Sequence, residues 1–248
     1  MSPADQLIQE ITKEIAVLPT GRYGEVIFDE GLFRDLPAPD AFLAPEPDVR
    51  DGLDEEVLPR EMAEDPSFLG CYVPMHSPGR IILSRRNLCG FYWSLVRALR
   101  HGLRYLYPRD LDGALHLVVR KTDHHERFHF HSDVLRKLFG SPFDPILEEA
   151  LAVAWSRMQL LGEHGNSKIG RMNRVFYNSL LDAAFAYRSP GYRDWPNYAD
   201  APRFKDAWLR YLASPNYQRL QANGVANLQD LTFGLLGQVE GGCVEQLV

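Results

Sequence analysis

Apolar residues recur at helical spacing over much of the chain. The first such stretch predicts a short amphipathic helix that ends near Pro19 and Gly21. Its apolar positions are Leu7, Ile8, Ile11 and Ile15. A later stretch predicts a helix from about Asn87 to His101. The apolar face of that helix comprises Phe91, Leu95, Ala98 and Leu99.

Two further helical patterns follow in the centre of the chain, separated by a sharp corner. The first runs from about Ala114 to Phe139 and stops at the sequence GSPFDP. In this corner Asp144 is a good N-cap and Pro145 a good first-turn residue, so a second helix is predicted to begin there. The C-terminal third is also predicted to be mostly helical, with breaks at SPGYRDWPNY and ASPNY.

Strand patterns lie upstream of these helices. The segment Leu69 to Ser84, LGCYVPMHSPGRIILS, predicts a strand, a turn at Ser77, Pro78 and Gly79, and a second strand. Before it, residues 35–66 are dense in proline and acidic residues, which predicts a surface loop or wrap. The predicted fold class is therefore α+β, mainly helical, with a small β-sheet before the central helix. Segments 1–66, 67–160 and 161–248 are predicted to form one compact unit.

Charge and cysteine content narrow the classes of protein. The net charge of −6 argues against a nucleic-acid-binding protein, and the basic run from Arg85 to Arg104 fits the solvated side of a helix. No window approaches the roughly 20 apolar residues of a membrane span, and the N-terminus lacks the features of a signal peptide. The three cysteines are widely spaced, which predicts reduced thiols in a cytoplasmic protein.

The central helix contains the sequence HERFH, residues 125–129, which is the pattern HExxH. Residues four apart lie on one helix face, so His125 and His129 can converge on one cation. Zinc binds imidazole nitrogens at about 2.0–2.1 Å and keeps a position for water in catalytic sites. Glu126 is placed to take the proton of that water as a general base. The other explanation is a histidine-rich helix face that is partly exposed.

Two imidazoles do not hold zinc alone, so a third protein ligand is required. Glu148 and Glu149 lie 19 and 20 positions after His129, near the start of the next helix. A helix pair joined by the GSPFDP corner would bring either glutamate beside the histidines. Glu149 is equally explained as a first-turn carboxylate that the helix dipole favours.

These motifs resemble the zincin metallopeptidases, specifically the gluzincin branch that includes thermolysin, in which a glutamate of the following helix completes the zinc site. The segment EALAVAWS, residues 149–156, is similar to the Glu-x-x-Ala-x-x-aromatic-small pattern of the ImmA/IrrE-like peptidases and implies Glu149 as the ligand. The upstream strand pair resembles the one whose edge strand aligns substrate in that family. The resemblance covers residues 69–156 and implies a zincin-like domain. Arg127 and the preceding KTDH depart from the family pattern, which has small or aliphatic residues there.

For several other side chains, the sequence permits both a role in the site and a purely structural role. A peptidase needs a donor for the developing oxyanion, and Tyr192, in the loop sequence PGYRDW, is predicted to supply it unless it is a packing aromatic. Tyr187, His164 and Arg171 are the other candidates. Asp133 lies one turn beyond His129 and is interpreted as an orienting partner of a ligand or as a surface residue. His124 and His131 are expected on other faces of the helix.

The sequence thus predicts a cytoplasmic metallopeptidase that uses Zn²⁺ to hydrolyse a protein or peptide substrate. His125, His129 and Glu149 are the predicted ligands, Glu126 the general base and Tyr192 the oxyanion donor. No nucleic acid or membrane partner is expected, and the pattern does not specify an oligomeric state. The alternative is a non-catalytic interaction or regulatory module with a structural or vestigial metal site. A third possibility is hydrolysis of a non-peptide amide.

Overall fold

The regular structure consists of α-helices around one small sheet in the computed structural model, which describes residues 1–47, 64–74, 79–164, 167–212 and 243–248. The helices are α1 (Pro3–Ala16), α2 (Arg85–Leu99), α3 (Pro108–Phe139), α4 (Pro145–Glu163), α5 (Arg174–Ala184) and α6 (Ala201–Leu212). The strands are β1 (Gly70–Val73), β2 (Gly79–Leu83) and β3 (Cys243–Leu247). The predicted α+β class, mainly helical with a small sheet, is confirmed.

The first helix begins as its sequence predicts. The Ser2 hydroxyl accepts a hydrogen bond from the Asp5 amide at 3.1 Å, and Pro3 occupies the first turn. All four predicted apolar positions are buried, and α1 packs against α3 and β3. The apolar stripe therefore faces the core.

The second helix is buried on more sides than predicted. Trp93 and Ser94 are buried, whereas Ala98, predicted on the apolar face, is exposed. Trp93 and Ser94 are buried because the segment before the sheet covers α2 there: Phe33 contacts the Trp93 ring, and the Ser94 hydroxyl donates to the Pro37 carbonyl at 2.7 Å. Residues 35–47 thus form neither an α-helix nor a strand and contact α2 through Pro37, and residues 48–63 lie outside the described residues.

The basic run of α2 is only partly a solvated face. The Arg97 guanidinium donates to the carbonyls of the covering segment at 2.8–3.3 Å, namely those of Phe33, Leu36 and Pro37. Arg100 forms an ion pair with Glu30 and lies over the Phe33 ring. Part of this run therefore stabilises the wrap on α2.

The predicted strand pair is present, and a third strand joins it. β1 and β2 are antiparallel with Tyr72 opposite Ile81, while residues 75–78 of the predicted turn lie outside the described residues. β3 was not predicted, and it pairs in parallel with β2. The strand order β1-β2-β3 leaves β1 at one edge of the described sheet. β1 packs against α3 on this side.

Helices α3 and α4 form the predicted pair. α3 begins before the predicted Ala114, because Pro108 occupies its first position and the Asp110 carboxylate accepts from the Tyr107 amide at 3.0 Å. It ends at Gly140, whose φ of 70° is left-handed. The Asp144 carboxylate then caps α4 by accepting from the Leu147 amide at 3.1 Å, as predicted. α3 contacts every other described helix and is the central element of the fold.

The C-terminal third contains one of the two predicted breaks, and its helix α6 packs against α3. The segment SPGYRDWPNY forms a loop with a 3-10 helix, Tyr192–Tyr198, whereas the break predicted at ASPNY lies outside the described residues. α6 packs Phe204 and Trp208 against Phe128 of α3. The division of the chain at residues 66 and 160 stays a prediction.

Candidate metal centre

The predicted metal ligands lie on the packed helices α3 and α4. His125 and His129 are one turn apart on α3, and Glu149 lies near the start of α4. The turn at Gly140 and the cap at Asp144 fold α4 back against α3. As a result, the Glu149 carboxylate faces both imidazoles.

Three potential ligand atoms form a small triangle. Nε2 of His125 lies 3.0 Å from Oε2 of Glu149 and 3.1 Å from Nε2 of His129, and the third side, from His129 Nε2 to Glu149 Oε2, is 3.3 Å. A tetrahedral cation bound at 2.0–2.1 Å separates its ligands by about 3.3 Å. The triangle therefore has the dimensions of one face of a zinc coordination sphere.

The hydrogen-bonding state of this triangle also fits a cation. Oε2 of Glu149 is buried and accepts no hydrogen bond of normal geometry from the described residues, although two imidazole nitrogens are adjacent. Both nitrogens lie close to this oxygen, at 3.0 and 3.3 Å. One cation could contact all three atoms, so these residues fit a bound metal.

The two adjacent glutamates have different positions. Glu149 lies in the triangle, whereas Oε1 of Glu148 is 3.0 Å from Nδ1 of His129, on the other side of that ring. Both carboxylates are buried. A carboxylate on the second nitrogen of a ligand imidazole fixes the ring orientation and its tautomer. Glu149 therefore shares the triangle with both imidazoles, whereas Glu148 contacts His129 from the other side of its ring.

Burial and the neighbouring carboxylates act in opposite directions on the pKa values of the two histidines, and the outcome differs between them. Burial opposes a charge on His129, but Glu149 and Glu148 outweigh it and raise the pKa of His129 well above its ordinary value. Burial lowers the pKa of His125 despite its contact with Glu149. Burial also acts on Glu149, but His129 and His125 hold the pKa of Glu149 well below its usual range. Glu149 is therefore an anion that can bind a cation.

Glu126, the predicted general base, borders the cluster without belonging to it. It is buried between α3 and β1, and its carboxylate accepts a hydrogen bond from the Tyr72 amide. Burial raises the pKa of Glu126 to about 8. A Cβ added to Gly70 would lie 3.2 Å from Cγ of Glu126, so glycine permits this close approach of β1.

A cleft of about 600 Å³ opens onto the cluster. The three triangle residues and Glu126 lie in its wall, and the edge strand β1 borders it through Gly70 and Tyr72. Acidic side chains are also found along the cleft, namely Glu46, Glu64 and Asp65. The arrangement can therefore admit an extended chain beside β1 and the triangle.

Tyr192, the predicted oxyanion donor, lies at the cluster. Its ring stacks on His125 with centroids 5.7 Å apart and an interplanar angle of 15°. This stacking holds the His125 ring, whose Nδ1 is buried without a hydrogen-bond partner in the described part of the chain. Burial, followed by the nearby Glu149 carboxylate, raises the pKa of the Tyr192 phenol well above its ordinary value, so it stays a hydrogen-bond donor.

The other candidate donors divide into two groups. Tyr187 lines the cleft, and its ring lies 5.2 Å from that of Tyr192. His164 packs instead against Tyr177, with ring centroids 4.4 Å apart, and Arg171 is exposed. The structure thus brings only the two tyrosines among these candidates to the cleft wall.

Asp133 has neither of the positions considered for it. It is buried, so it is not a surface residue, and its carboxylate accepts from the Tyr72 hydroxyl at 2.9 Å, from Arg136 at 3.0 Å and from Lys137 at 2.9 Å. The contact with Tyr72 ties β1 to α3, whereas Arg136 and Lys137 lie on α3 itself. The second nitrogen of His129, Nδ1, is contacted by Glu148 and not by Asp133.

The remaining histidines of the motif region lie away from the triangle. His124 is 2.9 Å from Glu163 on α4. His131 is buried, and burial lowers its pKa to about 4. Both therefore project to other faces of α3, as predicted.

The two departures from the zincin pattern have structural explanations. Arg127 pairs with Asp123, at 3.2 Å, and with Glu245 of β3, so it fastens the unpredicted strand to α3. Lys121 is buried, with Nζ 4.6–5.5 Å from the centroids of three aromatic rings, those of Phe91, Phe185 and Tyr187. Charged residues at these positions thus serve contacts outside the triangle.

One member of the site was missed by the sequence analysis. Tyr211 of α6 donates its hydroxyl hydrogen to Oε2 of Glu148. No local pattern distinguishes this tyrosine from the packing aromatics of α6 around it. Its proximity to Glu148 follows only from how α6 packs on α3 and α4.

Comparisons with known proteins found no matching family model, no matching curated protein and no matching solved structure. The described helices also include none with both the length and the apolar character needed to cross a bilayer.

Proposed function

We propose that this protein is a zinc-dependent metallopeptidase whose ligands are His125, His129 and Glu149. The single observation that carries the proposal is the triangle of ligand atoms with sides of 3.0, 3.1 and 3.3 Å, next to the buried carboxylate of Glu126. The HExxH spacing and the glutamate of the following helix, which resemble the gluzincins, support it from the sequence.

Zinc, when bound, supplies Lewis acidity that polarises a substrate carbonyl and lowers the pKa of water to about 7. A cation held beside Glu126 would favour its ionised form over the pKa of about 8 that burial imposes, and the ionised carboxylate would accept the proton of the attacking water and deliver it to the leaving amine nitrogen. Tyr192 and Tyr187 donate hydrogen bonds toward the carbonyl oxygen as negative charge develops. Because their phenols are buried and stay protonated, both can act as donors at neutral pH.

The substrate in this proposal is a protein or peptide that binds in an extended conformation. β1 is the edge strand that borders the cleft, and its outer side faces the position of Glu126. A peptide strand added there would run past the triangle of ligand atoms. A cytoplasmic location is also part of the proposal, and the free thiols of Cys71 and Cys89 support it.

The test is the variant Glu126→Gln, measured for zinc content and for cleavage of a mixed peptide library. We expect zinc content to be unchanged and cleavage to fall by about 10²–10⁴-fold, because the base is lost while the ligands remain. Glu163→Gln is the matched control, since Glu163 lies on α4 outside the cleft lining. Equal cleavage by the Glu126→Gln variant and the wild type would refute the proposal.

The second candidate function is a non-catalytic interaction or regulatory module with a structural metal site. The charged contacts of Lys121 and Arg127, where the resemblance implies small or aliphatic residues, favour it. A wild-type protein that binds zinc but cleaves no peptide of the library would support this candidate. Cleavage of non-peptide amides alone would instead support the third possibility, an amide hydrolase of another class.

A further inference from the structure

Tyr211 is linked to the candidate metal centre although it lies on a different helix. Its side chain is buried, with 5% of its surface exposed, and its hydroxyl donates to Oε2 of Glu148. The same hydroxyl oxygen accepts from the Asp144 amide at 3.5 Å. The hydroxyl is therefore held between the N-cap of α4 and the first turn of that helix.

Glu148 continues this connection to the triangle. One of its oxygens accepts from Tyr211, and the other contacts Nδ1 of His129 at 3.0 Å. The opposite nitrogen of that ring, Nε2, is one of the three candidate ligand atoms. A hydrogen-bonded chain therefore leads from α6 through a carboxylate to the centre. A carboxylate held at both oxygens has less freedom to rotate away from the imidazole.

The position of α6 does not depend on this hydroxyl. Nε1 of Trp208 donates to the Ser132 hydroxyl of α3 at 3.1 Å, and the Ser141 hydroxyl donates to the Leu212 carbonyl. Phe204 and Trp208 also pack on Phe128. Loss of the Tyr211 hydroxyl alone should therefore leave α6 in place.

We propose that Tyr211 is a positioning residue that sets the zinc affinity of the centre through Glu148. Its hydroxyl holds the Glu148 carboxylate against His129, so that Nε2 faces the other two ligands before a cation arrives. Without the hydroxyl, part of the binding free energy would be used to order the ring. The inference rests on the metal site of the proposed function and does not require catalysis.

The experiment measures zinc affinity of the full chain by competition with a chelator. The variants are Tyr211→Phe, Glu148→Gln and the double variant, with Tyr177→Phe as control. The control fits because the Tyr177 hydroxyl has no hydrogen-bond partner in the described chain and its ring packs on His164. We expect Glu148→Gln to weaken zinc binding by roughly 10–100-fold and Tyr211→Phe by at least about threefold.

The zinc affinity of the double variant shows whether Tyr211 acts through Glu148. If Tyr211 acts through Glu148, the double variant should bind zinc no more weakly than Glu148→Gln alone. The visible absorption spectrum of the Co²⁺-substituted protein should also shift in Tyr211→Phe and stay unchanged in Tyr177→Phe. Additive losses in the double variant would overturn the inference, because they would mean independent effects.

The variant Ser141→Ala distinguishes the effect of the Tyr211 hydroxyl from a general effect of α6 packing. It removes a hydrogen bond to α6, that of the Ser141 hydroxyl to the Leu212 carbonyl, and leaves the contacts of Glu148 in place. An equal loss of zinc affinity in Ser141→Ala and Tyr211→Phe would overturn the inference in favour of helix docking. Unchanged affinity in Tyr211→Phe, with zinc bound by the wild type, would also overturn it and leave the metal site intact. A wild type that binds no zinc would overturn both this inference and the proposed function.

Discussion

Glu148 and Glu149 are consecutive residues, yet their carboxylates contact opposite nitrogens of one imidazole. Oε2 of Glu149 lies 3.3 Å from Nε2 of His129, and Oε1 of Glu148 lies 3.0 Å from Nδ1 of the same ring. The ring is therefore inserted between two carboxylates of the same helical turn. This arrangement gives one glutamate a position for binding a cation and the other a position for holding the ligand.

We expect the purified protein to contain about one zinc ion per chain, because His125, His129 and Glu149 can supply three ligands and leave a position for water. His129→Ala removes a ligand and should abolish binding. Elemental mass spectrometry measures the content, with the exposed His101→Ala as control. Absence of metal from the wild type, even after incubation with zinc, would contradict the prediction.

Substitution of the two glutamates should have different effects. Glu149→Gln replaces a ligand and should reduce zinc content to near zero, whereas Glu148→Gln should still reach full occupancy at high zinc concentration. Titration of zinc-free protein followed by isothermal calorimetry measures both. The opposite result would assign Glu148 as the ligand.

Gly191 should be required at the loop that carries Tyr192. Its φ is 78°, and an added Cβ would lie 2.8 Å from the Ile146 carbonyl oxygen and 3.2 Å from Cβ of Glu149. Gly24 is the matched control, since its φ is 79° and an added Cβ meets nothing within 4 Å. Substitution by alanine should lower the free energy of unfolding by about 1 kcal/mol at Gly24 and by at least about 2 kcal/mol at Gly191.

Urea denaturation measures this difference, and zinc titration shows whether it reaches the centre. We expect weaker zinc binding in Gly191→Ala only, because the steric conflict involves Glu149. Equal losses of unfolding free energy in the two variants would contradict the prediction, because they would mean that α4 shifts away from the added methyl group without loss of stability.

Lys121 should make stability depend on pH. Burial lowers its pKa in the folded protein from 10.5 to about 7. Between these pKa values the unfolded chain binds more protons than the folded chain, so this residue contributes stability that rises with pH. Below pH 7 the buried ammonium is charged, and its cost is greatest.

Lys121→Met should therefore stabilise the protein most below pH 7, by on the order of 2 kcal/mol, with the gain shrinking toward pH 10. Chemical denaturation of variant and wild type at matched pH values measures the difference. Lys13→Met is the control, because Lys13 is exposed on α1. A gain that does not change with pH would refute the assignment.

The sequence predicted the parts of the site that depend on local geometry. The spacing of His125 and His129 places both on one face of any helix, and the cap at Asp144 determines where α4 begins. Adjacent glutamates, by contrast, point in directions about 100° apart on a helix. Both of them contact His129, from opposite sides, and which of them also reaches His125 depends on the packing of α4, which no local pattern determines.

Tertiary packing accounts for what the sequence did not predict. Tyr211 belongs to an aromatic helix face that would look the same without Glu148 nearby. The helical period predicts one apolar face of α2, but not that the segment before the sheet covers Trp93 and Ser94 on another side. The charge of Arg127, where the zincin pattern has a small or apolar residue, is explained by its ion pair with Glu245 on β3, a strand that was not predicted.

The parallel pairing of β2 with β3 has a kinetic consequence. Gly79 lies beside Cys243, so this pair of strands closes a very long loop. The α3–α4 hairpin, in contrast, closes only a short corner at Gly140. Local contacts form early in folding and distant ones late. We therefore expect the α3–α4 pair to form first, and β3 to pair with β2 only after synthesis has passed residue 247.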